Sequence, residues 1–358
     1  MAEQSTLQNP PPSDRKIRVA VIGASGYTGG EVIRLLLNHP HVELAFLSAE
    51  RAAGKQVGAV HPWLRNHPRL TGIKLRPLDQ LGEVDVAITC LPTGALPERL
   101  PQIADRAKYV LNLAGDFRLD NPQERAEHYP ASVAHPPADD FLYFVPDLSE
   151  SLPEGRFINL PGCMAVATVY ALYPLFADGL VEPDVVVDAK TGSTGGGRGG
   201  SEQPAERSGN FRVHKLHGHR HLPEITQALT HFTGTAPELR FSTHSLDVPR
   251  GILISAYSRL KEGVSPLDVK RAYAKAYTGK AFVRVRPSPK APQDFPMLKA
   301  VVGSNIAEVA VSVDGDQCVS IAAIDNLIKG AAGQAVQAMN LALGYTEWTG
   351  LSCAAVAP

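Results

Sequence analysis

Lys16-Ile17-Arg18-Val19-Ala20-Val21-Ile22 runs directly into Gly23-Ala24-Ser25-Gly26-Tyr27-Thr28-Gly29-Gly30, and Glu31 to Asn38 follows. The first seven residues read as a buried strand. The last eight place Val32, Leu35 and Leu36 at helical spacing. A strand, a glycine turn and a helix form the setting in which a G-x-x-G-x-x-G spacing reads as a dinucleotide site. The glycines let the backbone approach a pyrophosphate, whose charge sits on the helix N-terminus. The expectation is an α/β chain opening with a doubly wound sheet. Gly23, Ser25, Gly26, Tyr27, Thr28 and Gly29 then meet the cofactor.

Val42 to Leu47 reads as the next strand, ending at Ser48-Ala49-Glu50-Arg51, where the adenosine ribose would lie. An acid there accepts from the 2′-hydroxyl of NAD; an arginine accommodates the 2′-phosphate of NADP. Ser48 and Arg51 point to NADP, and Glu50 pulls the other way. Val84 to Leu91 and Tyr109 to Leu113 are further apolar strands, followed by Pro92-Thr93-Gly94 and Ala114-Gly115-Asp116-Phe117-Arg118. Ligands of open α/β sheets bind beyond the carboxyl ends of the strands. Both loops therefore face the cofactor, and Arg118 is a candidate for holding an anionic substrate. Cys90, inside an apolar run, reads as core.

Asn159-Leu160-Pro161-Gly162-Cys163-Met164-Ala165-Val166-Ala167-Thr168 delivers a cysteine to the start of an apolar run, Val169 to Phe176, that reads as a helix. A helix N-terminus lowers a thiol's pKa and favours the nucleophilic thiolate. Cys163 is thus a candidate for covalent catalysis; the alternative is a buried small hydrophobe.

Past Cys163 the pattern changes. A strand, Val185 to Ala189, leads into glycine-rich Gly192 to Gly200, where Arg198 points to anion binding. Arg207 to His221 holds four histidines (His214, His217, His219, His221) with no Cys or Asp cluster to support a metal, so none is expected. A histidine titrates near neutrality and can pass a proton; spacing leaves open which one does. Strands at 240–244, 252–258 and 281–286, a hairpin at 307–324 and a helix at 265–277 suggest a separate α+β domain with an antiparallel or mixed sheet. Asp325 to Gly333 opens a long helix through Leu341, whose small residues allow packing against the first domain. The expected division is a disordered leader at 1–15, a dinucleotide domain at 16–162 with the C-terminal helix 326–358, and an α+β domain at 163–325.

With 358 residues the chain has room for two cores. Its 44% hydrophobic and 20% charged residues suit a soluble globular protein. A formal charge of −1 supplies no basic field for nucleic acid or membranes. The four cysteines lack zinc or disulfide spacing and fit a reducing cytoplasm. No apolar run approaches the roughly 20 residues of a membrane helix. Polar, Pro-rich Met1 to Arg15 lacks the apolar centre of a signal peptide.

Six motifs at consistent spacing carry a resemblance: Gly23 to Glu31, Asp116-Phe117-Arg118, Pro161-Gly162-Cys163, Gly218 to Ile225, Pro249-Arg250-Gly251-Ile252 and Asp325 to Ala335. Together, from about Lys16 to Leu351, they resemble the N-acetyl-gamma-glutamyl-phosphate reductase family of the aspartate-semialdehyde dehydrogenase superfamily. The resemblance implies a Rossmann-type NADP-binding domain, a catalytic and dimerisation domain, and NADP(H)-dependent reduction of an acyl phosphate to an aldehyde. It implies Cys163 as the nucleophile that forms a thioester and releases phosphate, and His219 as acid/base. It assigns Pro92, Gly195 and Asn326 to the cofactor, and Asn159, Arg118, Arg198, His221 and Arg250 to the substrate. A homodimer or homotetramer is implied as well.

Met164-Ala165-Val166-Ala167 departs from the family's usual sequence after the cysteine. Pro204 to Arg212 resembles a sister group whose glutamyl or aminoadipyl phosphate is tethered to a small acidic carrier protein, although His214 stands where that group has tyrosine. Arg207, Arg212 and Lys215 could give such a carrier a basic docking surface. A third reading is a non-catalytic NADP-binding regulator.

Overall fold

The computed structural model describes residues 15–356 apart from 138–139, 150–152, 200–205, 207 and 287–288. Nearly all of the expected leader, and Arg207 of the basic surface, lie outside the described residues. Among the described residues no helix is long and apolar enough to cross a membrane.

Six strands form the first sheet: β1 (Ile17–Ile22), β2 (Val42–Ser48), β3 (Val84–Thr89), β4 (Ala107–Asn112), β5 (Leu142–Tyr143) and β6 (Phe157–Asn159), in the order β2-β1-β3-β4-β6-β5. Every pairing is parallel. With β1 lying between β2 and β3, the order reverses there, and a crevice opens beyond the carboxyl ends of β1 and β3. Helices α1 (Tyr27–Leu37) and α2 (Leu96–Ala104) flank the sheet. The sheet's buried strands are rich in Val, Ile and Leu because both faces are covered. This is the expected doubly wound architecture.

Seven strands form the second sheet: β7 (Asp184–Thr191), β8 (Arg212–Lys215), β9 (Glu238–Ser245), β10 (Ile252–Arg259), β11 (Val283–Arg286), β12 (Ala307–Asp314) and β13 (Gln317–Ile324), in the order β11-β12-β13-β10-β7-β9-β8. It is mixed: β7–β9 and β11–β12 are parallel, the other pairs antiparallel. Helices α3 (Cys163–Ala177), α4 (His221–Thr233) and α5 (Pro266–Tyr277) accompany it. Helix α3 is apolar nearly all round and buried along its length, so it forms the centre of this core. It begins at Cys163 itself, six residues before the apolar run that announced it. Ser265 caps α5 with a capping box, which fixes its start where the sequence placed it.

The C-terminal segment bridges the two sheets. Ile328–Ala332 forms one π-helical turn and Gly333–Ala342 continues as α6. Ile328, Ala332, Ala335, Val336 and Met339 share one core with Val32, Ile33 and Leu36 of α1, the expected packing against the first sheet's helices. The sequence showed the helix but not its π-turn, a feature that is frequent at functional sites.

Candidate active site

Loops from the carboxyl ends of β1, β2, β3 and β4 line one cleft of about 1640 Å³ together with Cys163, His219 and the glycine-rich segment after β7. The glycine turn closes its floor. Gly23 has φ +89°, and a Cβ there would lie 2.6 Å from the Cys90 carbonyl oxygen. Gly29 sits behind the wall: its Cβ would meet the Gly23 carbonyl at 2.4 Å, so α1 packs directly on the turn. Gly26 caps α1 without any side-chain bond, and no acid occupies the first turn. The first amides of α1 are therefore open to a phosphate. These features fit a dinucleotide. Ser25, Gly26, Tyr27, Thr28, Ser48, Arg51, Pro92, Gly195 and Asn326 all line the cleft. Glu50 accepts from the Leu78 amide at 3.1 Å, which engages the acid that argued for NAD. Asn326 donates to Thr194 at 2.9 Å and accepts from the Gly251 amide at 2.8 Å, so it also ties the glycine-rich segment to the C-terminal segment.

Cys163 is the first residue of α3, half-buried behind Gly162. Gly162 has ordinary φ; it is required by crowding. A Cβ there would lie 2.4 Å from His221 Nε2 and 2.8 Å from an Arg118 amino nitrogen. The expected depression of the thiol pKa is overturned: burial pushes it up, against the pull of the Met164 amide, Arg118 and Arg220. Desolvation of an anion outweighs the helix terminus here. Cys90 packs against the first core and also borders the cleft at the end of β3.

Arg118 is buried, not a solvated surface residue. Phe117 precedes it at φ +64°, rare outside glycine, which turns Arg118 back under the cleft. Its guanidinium donates to the Leu113 carbonyl at 2.7 Å and pairs with Glu224 at 3.4 Å. Glu224 also accepts from the Gly162 amide at 2.7 Å and the Tyr143 hydroxyl at 3.1 Å. One buried carboxylate thus joins the turn that presents Cys163, Arg118 and α4. Glu224 lies within the Gly218-to-Ile225 motif, where the sequence alone does not reveal this role: an acid in the first turn of a helix is already accounted for by the helix dipole.

His219 and His221 stand ring to ring at 4.8 Å. The His221 amide donates to His219 Nδ1 at 3.1 Å. Burial first, then His221 and Arg220, bring the His219 pKa down to about 2. A neutral ring that accepts at Nδ1 carries its proton on Nε2, so His219 is equipped as a hydrogen-bond donor. His221 is likewise held neutral by burial, with Nδ1 unpartnered. Arg220, overlooked in the sequence, lines the cleft and donates to Thr93 Oγ at 3.3 Å. Among the described residues no group of three or more His, Cys, Asp or Glu is gathered as for a metal.

Three residues expected at the substrate are engaged by neighbouring protein groups. Asn159 is fully buried and bonds the Phe117 carbonyl and Asn112, so it braces the loop that carries Arg118. Arg250 pairs with Glu31 of α1 at 2.5 Å and with Asp325 at 3.4 Å, bridging the two sheets' elements. Arg198 is in the cleft but on its glycine-turn side, over the Tyr27 ring at 5.2 Å and bonded to Val60 and His61.

Comparison with known proteins agrees with this geometry. Residues 18–154 match the model of the semialdehyde dehydrogenase NAD binding domain, and residues 163–326 that of the semialdehyde dehydrogenase dimerisation domain. The chain is 41% identical over 338 residues to N-acetyl-gamma-glutamyl-phosphate reductase 1 of Lactiplantibacillus plantarum, covering 94% of this chain and 98% of that one. It is 38% identical over 348 residues to a protein of Thermomicrobium roseum named for LysW-L-2-aminoadipate 6-phosphate reduction, covering 94% and 97%. Aspartate semialdehyde dehydrogenase II of Vibrio cholerae shares the fold with a TM-score of 0.69 at 16% identity, over 92% of this chain and 98% of that one. The enzyme of Candida albicans solved with NADP does so with a TM-score of 0.66, also at 16% identity, over 91% and 98%. The chain belongs to the N-acetyl-gamma-glutamyl-phosphate reductase family of the semialdehyde dehydrogenases, NAD(P)-dependent oxidoreductases.

Proposed function

We propose that this protein reduces an N-blocked γ-glutamyl phosphate to the semialdehyde with release of phosphate, through a thioester on Cys163. The observation that carries the reading is the single cleft in which Cys163, His219 and Arg118 meet the glycine turn. The glycine turn, Ser48, Arg51, Gly195 and Asn326 would hold the dinucleotide, and Arg51 beside an engaged Glu50 supports NADP. When bound, that cofactor supplies the hydride.

The chain's own residues account for the remaining steps. The Cys163 sulfur attacks the acyl carbon; its proton leaves with the phosphate, whose bond to that carbon breaks. Arg118 and Arg220 offset the charge of the departing anion. The His219 Nε2–H group donates to the carbonyl oxygen as it gains negative charge, in attack and again in reduction. The reduced oxyanion then expels the Cys163 thiolate, which regains a proton from solvent and frees the aldehyde. The thiol thus splits one difficult transfer into two easier ones.

The domain division at 162/163, with the C-terminal segment returning to the first sheet, belongs to this reading, as do self-association and a cytoplasmic location. So does a second substrate form. Similarity to the Thermomicrobium roseum protein, with Lys215 lining the cleft and Arg212 on the same strand β8, favours an acyl phosphate presented on an acidic carrier as the alternative. The deciding assay follows NADP reduction with N-acetylglutamate semialdehyde plus phosphate, beside glutamate semialdehyde attached through its amino group to a small acidic carrier in place of the acetyl group. Turnover of the free form alone supports the acetylated substrate; turnover of the linked form alone supports the carrier. Absence of phosphate-dependent turnover with either rejects the reductase.

A further inference from the structure

Lys329 and Asp147 form an ion pair, Nζ to Oδ2 2.5 Å, with both side chains wholly buried. A buried pair is often no more stabilising than apolar residues of equal volume, so stability alone does not account for charges at this depth. The bonds around it do. Tyr170, on the nucleophile's own helix α3, donates to the same Asp147 oxygen at 2.5 Å. Gln337 of α6 accepts from Lys329 at 3.0 Å and donates to the other Asp147 oxygen at 3.3 Å. The pair therefore fastens α3 and the β5–β6 connection to the π-turn and α6.

The π-turn is what presses on the nucleophile. Gly330 lies so close that a Cβ on it would stand 2.6 Å from the Cys163 Cβ. One turn onward, Gln334 donates to the Pro161 carbonyl at 3.4 Å, in the turn that presents Cys163. Helices packed by apolar side chains alone can settle in several registers. A buried ion pair has one good geometry, and fixing register is the best-attested use of such groups.

We propose that the Lys329–Asp147 pair is a positioning device for the nucleophile: it sets the height of the π-turn against α3 and, through Gly330, where the Cys163 sulfur sits in the cleft. Neither Lys329 nor Asp147 lines the cleft, so the effect passes through the backbone. The inference rests on Cys163 being the nucleophile.

The test combines Lys329→Met with Asp147→Leu, which removes the charges but keeps the volume, in the full-length protein. Three quantities are read: the thermal midpoint, kcat and KM for NADP with the semialdehyde and phosphate, and the rate of Cys163 alkylation by iodoacetamide, followed on its peptide. The expected result is a folded protein whose KM for NADP stays within about twofold while kcat and alkylation fall roughly 10- to 100-fold, the scale of a 1 Å misplacement. If that variant does not fold, Lys329→Gln with Asp147→Asn takes its place under the same criteria. Wild-type kcat and alkylation in a folded double variant overturn the proposal, as does failure of both doubles to fold, which makes the pair purely structural. If the native enzyme turns over neither aldehyde, the substrate reading falls, and alkylation still decides the positioning role.

Discussion

His219 is the residue whose chemistry the structure changes most. Four histidines in eight residues suggested a proton carrier; the geometry makes His219 a neutral donor, because the His221 amide occupies Nδ1 and burial beside Arg220 opposes a charged ring. A donor can be replaced by another donor, whereas a base cannot. His219→Ala should lower kcat by about 10²- to 10³-fold, and His219→Gln should recover a substantial part of that loss. Steady-state kcat for the two variants checks this; a glutamine variant as inactive as the alanine variant would restore the acid/base role. At the same scale, Cys163 was legible because Pro161-Gly162 and an apolar run are local signals. Its raised pKa was not, because desolvation depends on Arg118, His221 and Glu224, which arrive from other parts of the chain.

At the scale of elements, local order was readable and long-range partnership was not. The glycine turn, the alternation of strand and helix up to β4 and the β12–β13 hairpin follow from periodicity within a dozen residues. Strand β8, inside the histidine-rich stretch, carries no such periodicity and exists because β9 offers it an edge. Arg250 shows the same limit. In sequence it is a cation beside glycine; in the fold its partner Glu31 is 219 positions away and buried. Arg250→Ala should therefore cost about 1–3 kcal/mol through the stranded Glu31 while leaving KM for the acyl substrate nearly unchanged. Urea unfolding and substrate kinetics read the two effects separately. A large rise in that KM with unchanged stability would return Arg250 to the substrate.

For the whole molecule, acid sensitivity follows from buried imidazoles. His39, His61, His219 and His221 are each held below the ordinary value of 6.5, in every case chiefly by burial. The unfolded chain takes up these four protons near pH 6.5; the folded chain takes each up only at lower pH. Their contribution to stability is fully present above about pH 7 and is lost progressively as pH falls below 6.5, by up to about 1.4 kcal/mol per histidine per unit. Asp116, whose carboxyl burial pushes up, works in the opposite direction with a single proton. Urea midpoints measured at pH 7.5, 6.5 and 5.5 should decline; a flat or rising series would show that these rings are charged in the folded state.

The two-sheet architecture brings a cofactor turn from one end of the chain and a thiol from its middle into one cleft, and covalent catalysis by Cys163 is the claim on which the rest depends. Its most direct test mixes the enzyme with NADP and N-acetylglutamate semialdehyde, or the carrier-linked aldehyde, without phosphate. A quench and peptide mass measurement follow. The account predicts a single burst of NADPH matching the enzyme present, an acyl mass on the Cys163 peptide, and its disappearance when phosphate is added. Turnover with Cys163 unmodified, or with the acyl group on another residue, would contradict it.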